Sequence, residues 1–226
     1  MSITARIIDL TQTLRPGMRG VEITPKCTIA RDGWKASTLQ LYSHCGTHMD
    51  AQAHFEAGPE TIDQHTPERC MGAAWVVNLA GIAPRALIEV PHLGKTSERL
   101  RPGESLLLRT DWSQHADNPA LYRDDLPRIS EGLARWCVGK QVKLLGVEPP
   151  SIADVNNKPE VTLIHRILLG GNVVIVEGLT NLDQLQAEKV FFVALPLKPL
   201  AGDGSPCRAI AVEGIPPEGW LQGGGQ

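Results

Sequence analysis

The strongest constraint on this chain is a set of short apolar runs that lack polar alternation. Val173-Val174-Ile175-Val176 and Leu106-Leu107-Leu108 offer no side for water, so strands built from them are covered on both faces. The pattern predicts strands at Arg6–Leu10, Ala74–Leu79, Ser105–Arg109, Val142–Val147, Val173–Val176, Val190–Leu195 and Ala209–Val212, divided by Pro/Gly punctuation. Covering layers come from helices. Ser130 is placed to cap one running through Cys137, with Leu133, Trp136 and Cys137 as its buried stripe. Pro159 suits the first turn of a second, which repeats Val161, Ile164–His165 and Leu168 at helical spacing and stops at Gly170-Gly171. Strands alternating with helices make an α/β fold. At 226 residues the chain is expected to form one domain over 1–221, with the Gly-rich segment 222–226 as a flexible end.

Composition narrows the function classes. The formal net charge is −3, from 22 basic and 25 acidic residues, without a Lys/Arg block, and aromatics are 4% of the chain. Neither a nucleic-acid surface nor a base-stacking platform is expected. The longest apolar stretches, such as Val190–Leu195, fall far short of the ~20 residues of a spanning helix. The start, Met1-Ser2-Ile3-Thr4-Ala5-Arg6, does not read as an export signal. Five scattered cysteines with no CxxC pair fit a reduced, cytoplasmic protein.

Chemistry concentrates in His44-Cys45-Gly46-Thr47-His48-Met49-Asp50-Ala51-Gln52-Ala53-His54. Imidazole and carboxylate suit a borderline divalent cation such as Zn²⁺ or Mn²⁺. On a straight helix Asp50 would point about 200° from His48. On a straight strand His44 and His54 would lie roughly 33 Å apart. Only a bent segment gathers these groups, and Gly46 is the residue that permits the bend. Isolated histidines are more often loop residues than ligands, but this spacing favours a metal. A second pair is His165 and Glu177, twelve residues apart. A carboxylate at the end of a buried strand is costly unless paired or cation-bound. A hydrogen-bonded core histidine and a solvent-facing glutamate are an equal alternative for this pair taken alone. Among the other histidines, His65, His92 and His115 read as surface residues. Trp75, Trp112, Trp136 and Trp220 read as core or interface residues.

The segment His44–Phe55 resembles the signature HxGTHxDxPxHF of the putative cyclase family of metal-dependent hydrolases, which includes bacterial kynurenine formamidase and isatin hydrolase. His165-x-x-Leu168-Leu169, Val176-Glu177-Gly178-Leu179-Thr180-Asn181-Leu182, Leu195-Pro196-Leu197 and Gly204-Ser205-Pro206-Cys207-Arg208-Ala209 resemble its later blocks. Asp9-Leu10-Thr11 and Leu107-Leu108-Arg109-Thr110 also fit. The resemblance implies a single-domain swivelling β/α/β fold with a mostly buried mixed sheet, assembled as a homodimer or homotetramer. It implies that His44, His48 and Asp50 hold one ion, that Asp50 and Glu177 bridge to a second ion also held by His165, and that His54 is the acid/base residue. One or two ions per subunit are compatible with it.

The implied reaction is hydrolysis of a C–N bond in a formamide, lactam or cyclic amide. A divalent ion lowers the pKa of bound water from about 15.7 to ~7, so hydroxide is available to attack the carbonyl, and the ion stabilises the oxyanion. His54 would protonate the leaving nitrogen, the alternatives for it being a further ligand or an orienting residue. Trp34, Phe55 and Gln52 are candidate substrate contacts. Gln52 stands where the signature often has Pro, Val21 about where kynurenine formamidases carry a Trp, and Glu148 ends a Gly146-Val147-Glu148 where Gly-x-Asp is usual. Rival readings are a metal-assisted lyase or dehydratase on a small carbonyl compound, a non-catalytic metal-binding homologue and, last, a nucleophilic Cys45.

Overall fold

The computed structural model describes residues 5–214. Trp220 and the 222–226 segment lie outside the described residues. Twelve strands occur among the described residues, in chain order: β1 (Arg6–Asp9), β2 (Val21–Cys27), β3 (Ala36–Leu41), β4 (His48–Asp50), β5 (Met71–Asn78), β6 (Leu87–Ile88), β7 (Ser105–Arg109), β8 (Arg128–Ile129), β9 (Leu144–Val147), β10 (Val174–Glu177), β11 (Lys189–Pro196) and β12 (Gly204–Glu213). The two long helices are α1 (Glu131–Gly139) and α2 (Lys158–Gly170). Each of the seven apolar runs contains or overlaps a strand, and the two helices stand where Ser130 and Pro159 put them. The Ser130 side chain accepts the Leu133 N–H at 3.0 Å. Asn157 caps α2 by accepting the Glu160 N–H, with Pro159 in the first turn.

Eight strands form a mixed sheet in the order β1-β12-β11-β5-β7-β9-β10-β4, and β4 pairs back onto β12. That last pairing closes the sheet into a barrel, with β1 as a flanking strand. The β5–β7, β7–β9 and β9–β10 pairs are parallel, and the remaining pairs are antiparallel. Parallel neighbours need crossovers. The β7–β9 connection carries α1, and the β9–β10 connection carries α2.

Closure explains the missing polar alternation. One side of each strand fills the barrel, where Met49, Leu107, Leu144, Val174, Val176 and Phe192 share a cluster. The other side meets α1 and α2, where Leu106, Leu108, Leu145 and Ile175 pack with Leu133, Ile164 and Leu168. The interior is tight: a Cβ on Gly146 would lie 2.6 Å from Leu107 and 2.7 Å from Leu179.

Two features were not read from the sequence. β2 and β3 pair as a separate, largely exposed hairpin. β4 has three residues and lies between β10 and β12, its polar side chains buried. No helix among the described residues is long and apolar enough to cross a membrane.

Candidate metal centre

The centre lies on the outer face of the barrel, under α2. Strand periodicity sends Met49 into the barrel core and turns its neighbours His48 and Asp50 outward. Pairing places His48 opposite Glu177 and Asp50 opposite Ile175, so three functional side chains share one face of adjacent strands. His165, on the buried face of α2, completes the group from above.

Backbone acceptors orient two of the imidazoles. His48 Nδ1 donates to the Gly46 carbonyl at 3.0 Å, and His165 Nδ1 donates to the Val161 carbonyl at 2.7 Å. Both Nε2 atoms then face the carboxylates, as metal-binding histidines require. His48 Nε2 is 3.1 Å from Glu177 Oε2, and His165 Nε2 is 3.4 Å from Glu177 Oε1 and 3.6 Å from Asp50 Oδ2. His44 Nδ1 is 2.9 Å from Asp50 Oδ1. Glu177 Oε1 also accepts the Ile152 N–H at 2.7 Å.

His44 and His48 converge because the chain turns at Gly46, which has φ 58°. Gly178, with φ 67°, packs against that turn, and a Cβ there would lie 2.4 Å from the Gly46 carbonyl oxygen. That carbonyl holds His48. Gly178→Ala is therefore expected to cost ~1–3 kcal/mol of stability and to weaken metal binding as well. Denaturant unfolding of the metal-free protein and a metal titration check it. An unchanged midpoint with unchanged affinity would mean that the turn yields freely.

Asp50 Oδ2 is buried without a hydrogen-bond partner. An orphaned carboxylate oxygen is expensive in a low-dielectric interior, and a cation would satisfy it. The donor set fits a divalent ion. His44, His48 and Asp50 offer ligand atoms within 4.8 Å of one another, as do Asp50, His165 and Glu177, and also His44, His54 and Asp203. Asp50 belongs to the first two groups and His44 to the first and third.

In the metal-free chain, protons hold this charge together. Burial depresses the His44 pKa, but Asp50 and Asp203 outweigh it and lift it to about 9. Burial likewise opposes the charged forms of His48 and His165, and Glu177 with Asp50 raises both nonetheless. Burial works to raise Asp50 and Glu177, and the neighbouring imidazoles bring both below the usual carboxylate values. An incoming cation must displace those protons. Metal binding near neutral pH is thus expected to release protons. The apparent affinity should climb as pH rises from the ordinary imidazole value of 6.5 towards the value of about 9 held by His44. Calorimetric titration in buffers of different ionisation enthalpy measures the release; binding heats independent of buffer would contradict it.

His54 lies on the single 3₁₀ turn Gln52–Phe55, stacked on His44 with ring centroids 3.7 Å apart. Its Nδ1 is 3.4 Å from Asp203 Oδ2, and its side chain is 23% exposed. Burial lowers its pKa, and repulsion from His44 and His165 adds to this against the attraction of Asp50 and Glu177. Phe55 stacks on His165 at 4.4 Å. The Gln52 amide is used within the fold: it donates to the Leu169 carbonyl at 3.2 Å and accepts the Glu60 N–H at 3.3 Å. Trp34 is exposed in the connection between β2 and β3. Cys45 is buried, and its thiol pKa is raised by that burial. No candidate ligand group among the described residues includes it. His65 differs from its surface reading, because its side chain is buried against Glu60, which also pairs with Arg69.

One residue of the site escaped the sequence reading. Asp203 precedes β12 and accepts from His44 Nε2 at 2.9 Å. It stands one residue before the block Gly204–Ala209 that carried the resemblance, which was the available signal. Glu148, noted in the sequence only as a departure from Gly-x-Asp, is fully buried. It accepts the Thr110 N–H at 2.6 Å and the Ser113 hydroxyl at 3.0 Å, and its carbonyl accepts the Tyr122 hydroxyl at 2.5 Å. A cavity of about 330 Å³ opens beside His44 and His48, walled by residues 15–19 and by Tyr122.

Among solved structures, isatin hydrolase A from Ralstonia solanacearum superposes with a TM-score of 0.83 at 26% identity, covering 92% of each chain. Isatin hydrolase A from Labrenzia aggregata gives 0.84 at 24% identity, over 93% of this chain and 94% of that one. Fold and site together define a metal-dependent hydrolase. Kynurenine formamidase from Bordetella pertussis is 30% identical over 193 residues, 84% of either chain. That from Erythrobacter litoralis is 29% identical over 217 residues, 92% of this chain and 94% of the relative. The model of the family described as Putative cyclase matches residues 8–154, and the chain belongs to that family.

Proposed function

We propose that this protein hydrolyses a C–N bond of a formamide, lactam or cyclic amide. In this reading His44, His48, Asp50, His165 and Glu177 hold one or two divalent ions, Zn²⁺ or Mn²⁺, and His54 is the acid/base residue. The observation that carries it is Asp50, one oxygen of which faces His44 while the other faces His165, buried and with no hydrogen-bond partner. Relatives named kynurenine formamidase and isatin hydrolase support the choice of amide bond.

When bound, a divalent ion supplies Lewis-acid polarisation and activation of water. The chain's own residues do the rest. The Gly46 and Val161 carbonyls fix the tautomers of His48 and His165. Asp203 holds His44 from behind. Phe55 shields His165 and packs edge-on against His54, while His54 keeps enough exposure to exchange protons with solvent. Placed there, the His54 imidazole takes a proton from the attacking water and returns it to the departing nitrogen.

The protein is further proposed to work in the cytoplasm, with all five cysteines free thiols, and as a homodimer or homotetramer. Exposed Ile29, Trp34 and Leu39 on and beside the β2–β3 hairpin support an interface there. Trp34 would meet substrate only across such an interface, and Gln52 through release of its present hydrogen bonds, whereas Phe55 already borders His54.

The test is turnover of aryl formamides, isatins and cyclic imides by protein stripped with chelator and then reloaded with Zn²⁺ or Mn²⁺. Activity is expected to vanish and return with the metal, and the acyl product formed in heavy-oxygen water should carry solvent oxygen. Product free of label would indicate a lyase, and activity untouched by complete metal removal would refute the assignment.

A further inference from the structure

The cavity beside His44 and His48 is lined by three arginines, Arg15, Arg19 and Arg123, and one carboxylate, Asp117. This is a local excess of positive charge on a chain whose net charge is −3. Arg19 has no hydrogen-bond or ion-pair partner among the described residues and is exposed. Arg15 pairs with Asp117, both well exposed. Arg123, itself 34% exposed, pairs at 2.9 Å with Asp124, which is outside the cavity lining and 48% exposed, and also donates to Asn156 Oδ1 at 3.2 Å. Exposed pairs of this kind are weak and exchangeable. A ligand carboxylate could therefore replace Asp117 or Asp124 at little cost, and it would find Arg19 with no bond to break.

The same cavity is lined by the candidate metal ligands His44 and His48, so one molecule filling about 330 Å³ would touch both groups. We infer that the substrate is a net-anionic amide. It would bear a free carboxylate, displaced from the scissile C–N bond, that docks on the guanidinium groups of Arg19 and Arg123. Guanidinium forks match carboxylates with two parallel hydrogen bonds, which makes these arginines specificity-determining and leaves bond cleavage to the metal centre. The inference rests on the amidohydrolase reading and adds to it the charge of the substrate.

The experiment compares formanilide with its 2- and 4-carboxylated counterparts as substrates of metal-loaded protein. The wild type is expected to favour a carboxylated formamide in kcat/KM, mainly through KM, with the advantage shrinking as salt screens the arginines. Arg19→Ala with Arg123→Ala should reduce the carboxylated-to-neutral ratio by about ten- to hundredfold. Arg19→Lys restored into the double variant should recover part of it. Arg135→Ala, remote on α1, should leave the ratio alone. A wild type indifferent to the carboxylate, or a preference that survives in the double variant, overturns the clamp while hydrolysis stands. If no formamide is turned over, the hydrolase reading fails for this class. The clamp is then decided by calorimetric titration with 2-aminobenzoate against aniline. Tighter binding of the acid that is lost in the double variant supports it, and equal binding overturns it.

Discussion

Asp50→Asn is expected to give a folded protein that no longer retains its metal, with kcat/KM lowered by on the order of 10⁴, about 5.5 kcal/mol of transition-state stabilisation. The carboxylate belongs to two of the three candidate ligand groups, one oxygen towards His44 and the other towards His165. An amide is nearly the same size, but its NH₂ group cannot bind a cation. It also removes the negative charge that offsets a divalent ion in a buried site. The fold should survive, because β4 is held by backbone pairing to β10 on one side and β12 on the other, with Met49 anchored in the barrel. Elemental analysis gives metal content, and thermal unfolding of the metal-free protein tests the fold. Glu177→Gln makes a useful contrast, since Glu177 belongs to only one of those groups and also accepts the Ile152 N–H. It is expected to disturb the Asp50–His165–Glu177 group while leaving His44, His48 and Asp50 able to bind an ion. Stoichiometric metal and wild-type turnover in Asp50→Asn would remove the basis for a shared carboxylate.

The legible parts of this protein are those where local pattern and tertiary role agree. Val174 to Val176 are apolar throughout because one side fills the barrel and the other meets α2, and that double burial shows in the residues themselves. The ends of α1 and α2 are legible because Ser130 caps α1, Pro159 sits in the first turn of α2 and Gly170-Gly171 closes it. β4 was unreadable as a strand: His48-Met49-Asp50 is too short and too polar, and it is extended because β10 and β12 grip it from both sides. The β2–β3 hairpin was missed because its residues are mostly exposed and Pro25 interrupts it at a change of register. In the site, His44, His48 and Asp50 are close in sequence and could be grouped by spacing. Asp203 joins them only because β12 pairs with β4, bringing together positions 159 residues apart. Glu148 looked like a departure from pattern, yet its carboxylate is satisfied by Thr110 and Ser113, a contact made across β7 and β9.

His54→Ala is expected to lower kcat for amide substrates by ~10²–10⁴-fold, the usual range for loss of a positioned proton carrier, while metal content stays at the wild-type level. The second half of that statement is the discriminating one. His54, His44 and Asp203 also form a group capable of holding a cation, and a ligand role predicts that metal is lost together with rate. The proposed proton-carrier role rests on three features of His54. His54 stacks face to face on His44, and its Nδ1 is 3.4 Å from a carboxylate that already engages His44. Unlike the buried His48 and His165, it has a partly exposed ring. Burial, more than any neighbour, lowers its pKa from the ordinary 6.5, which favours the neutral imidazole that the proposed base requires. For a base whose pKa is depressed, activity rises with pH through a value below 6.5 and then levels off. That acidic limb should be absent from the residual activity of His54→Ala. An ester with a good leaving group needs no proton on departure, so the variant should lose less rate with it than with the matching amide. Equal losses on both substrates, or loss of the ion, would transfer His54 from proton carrier to ligand.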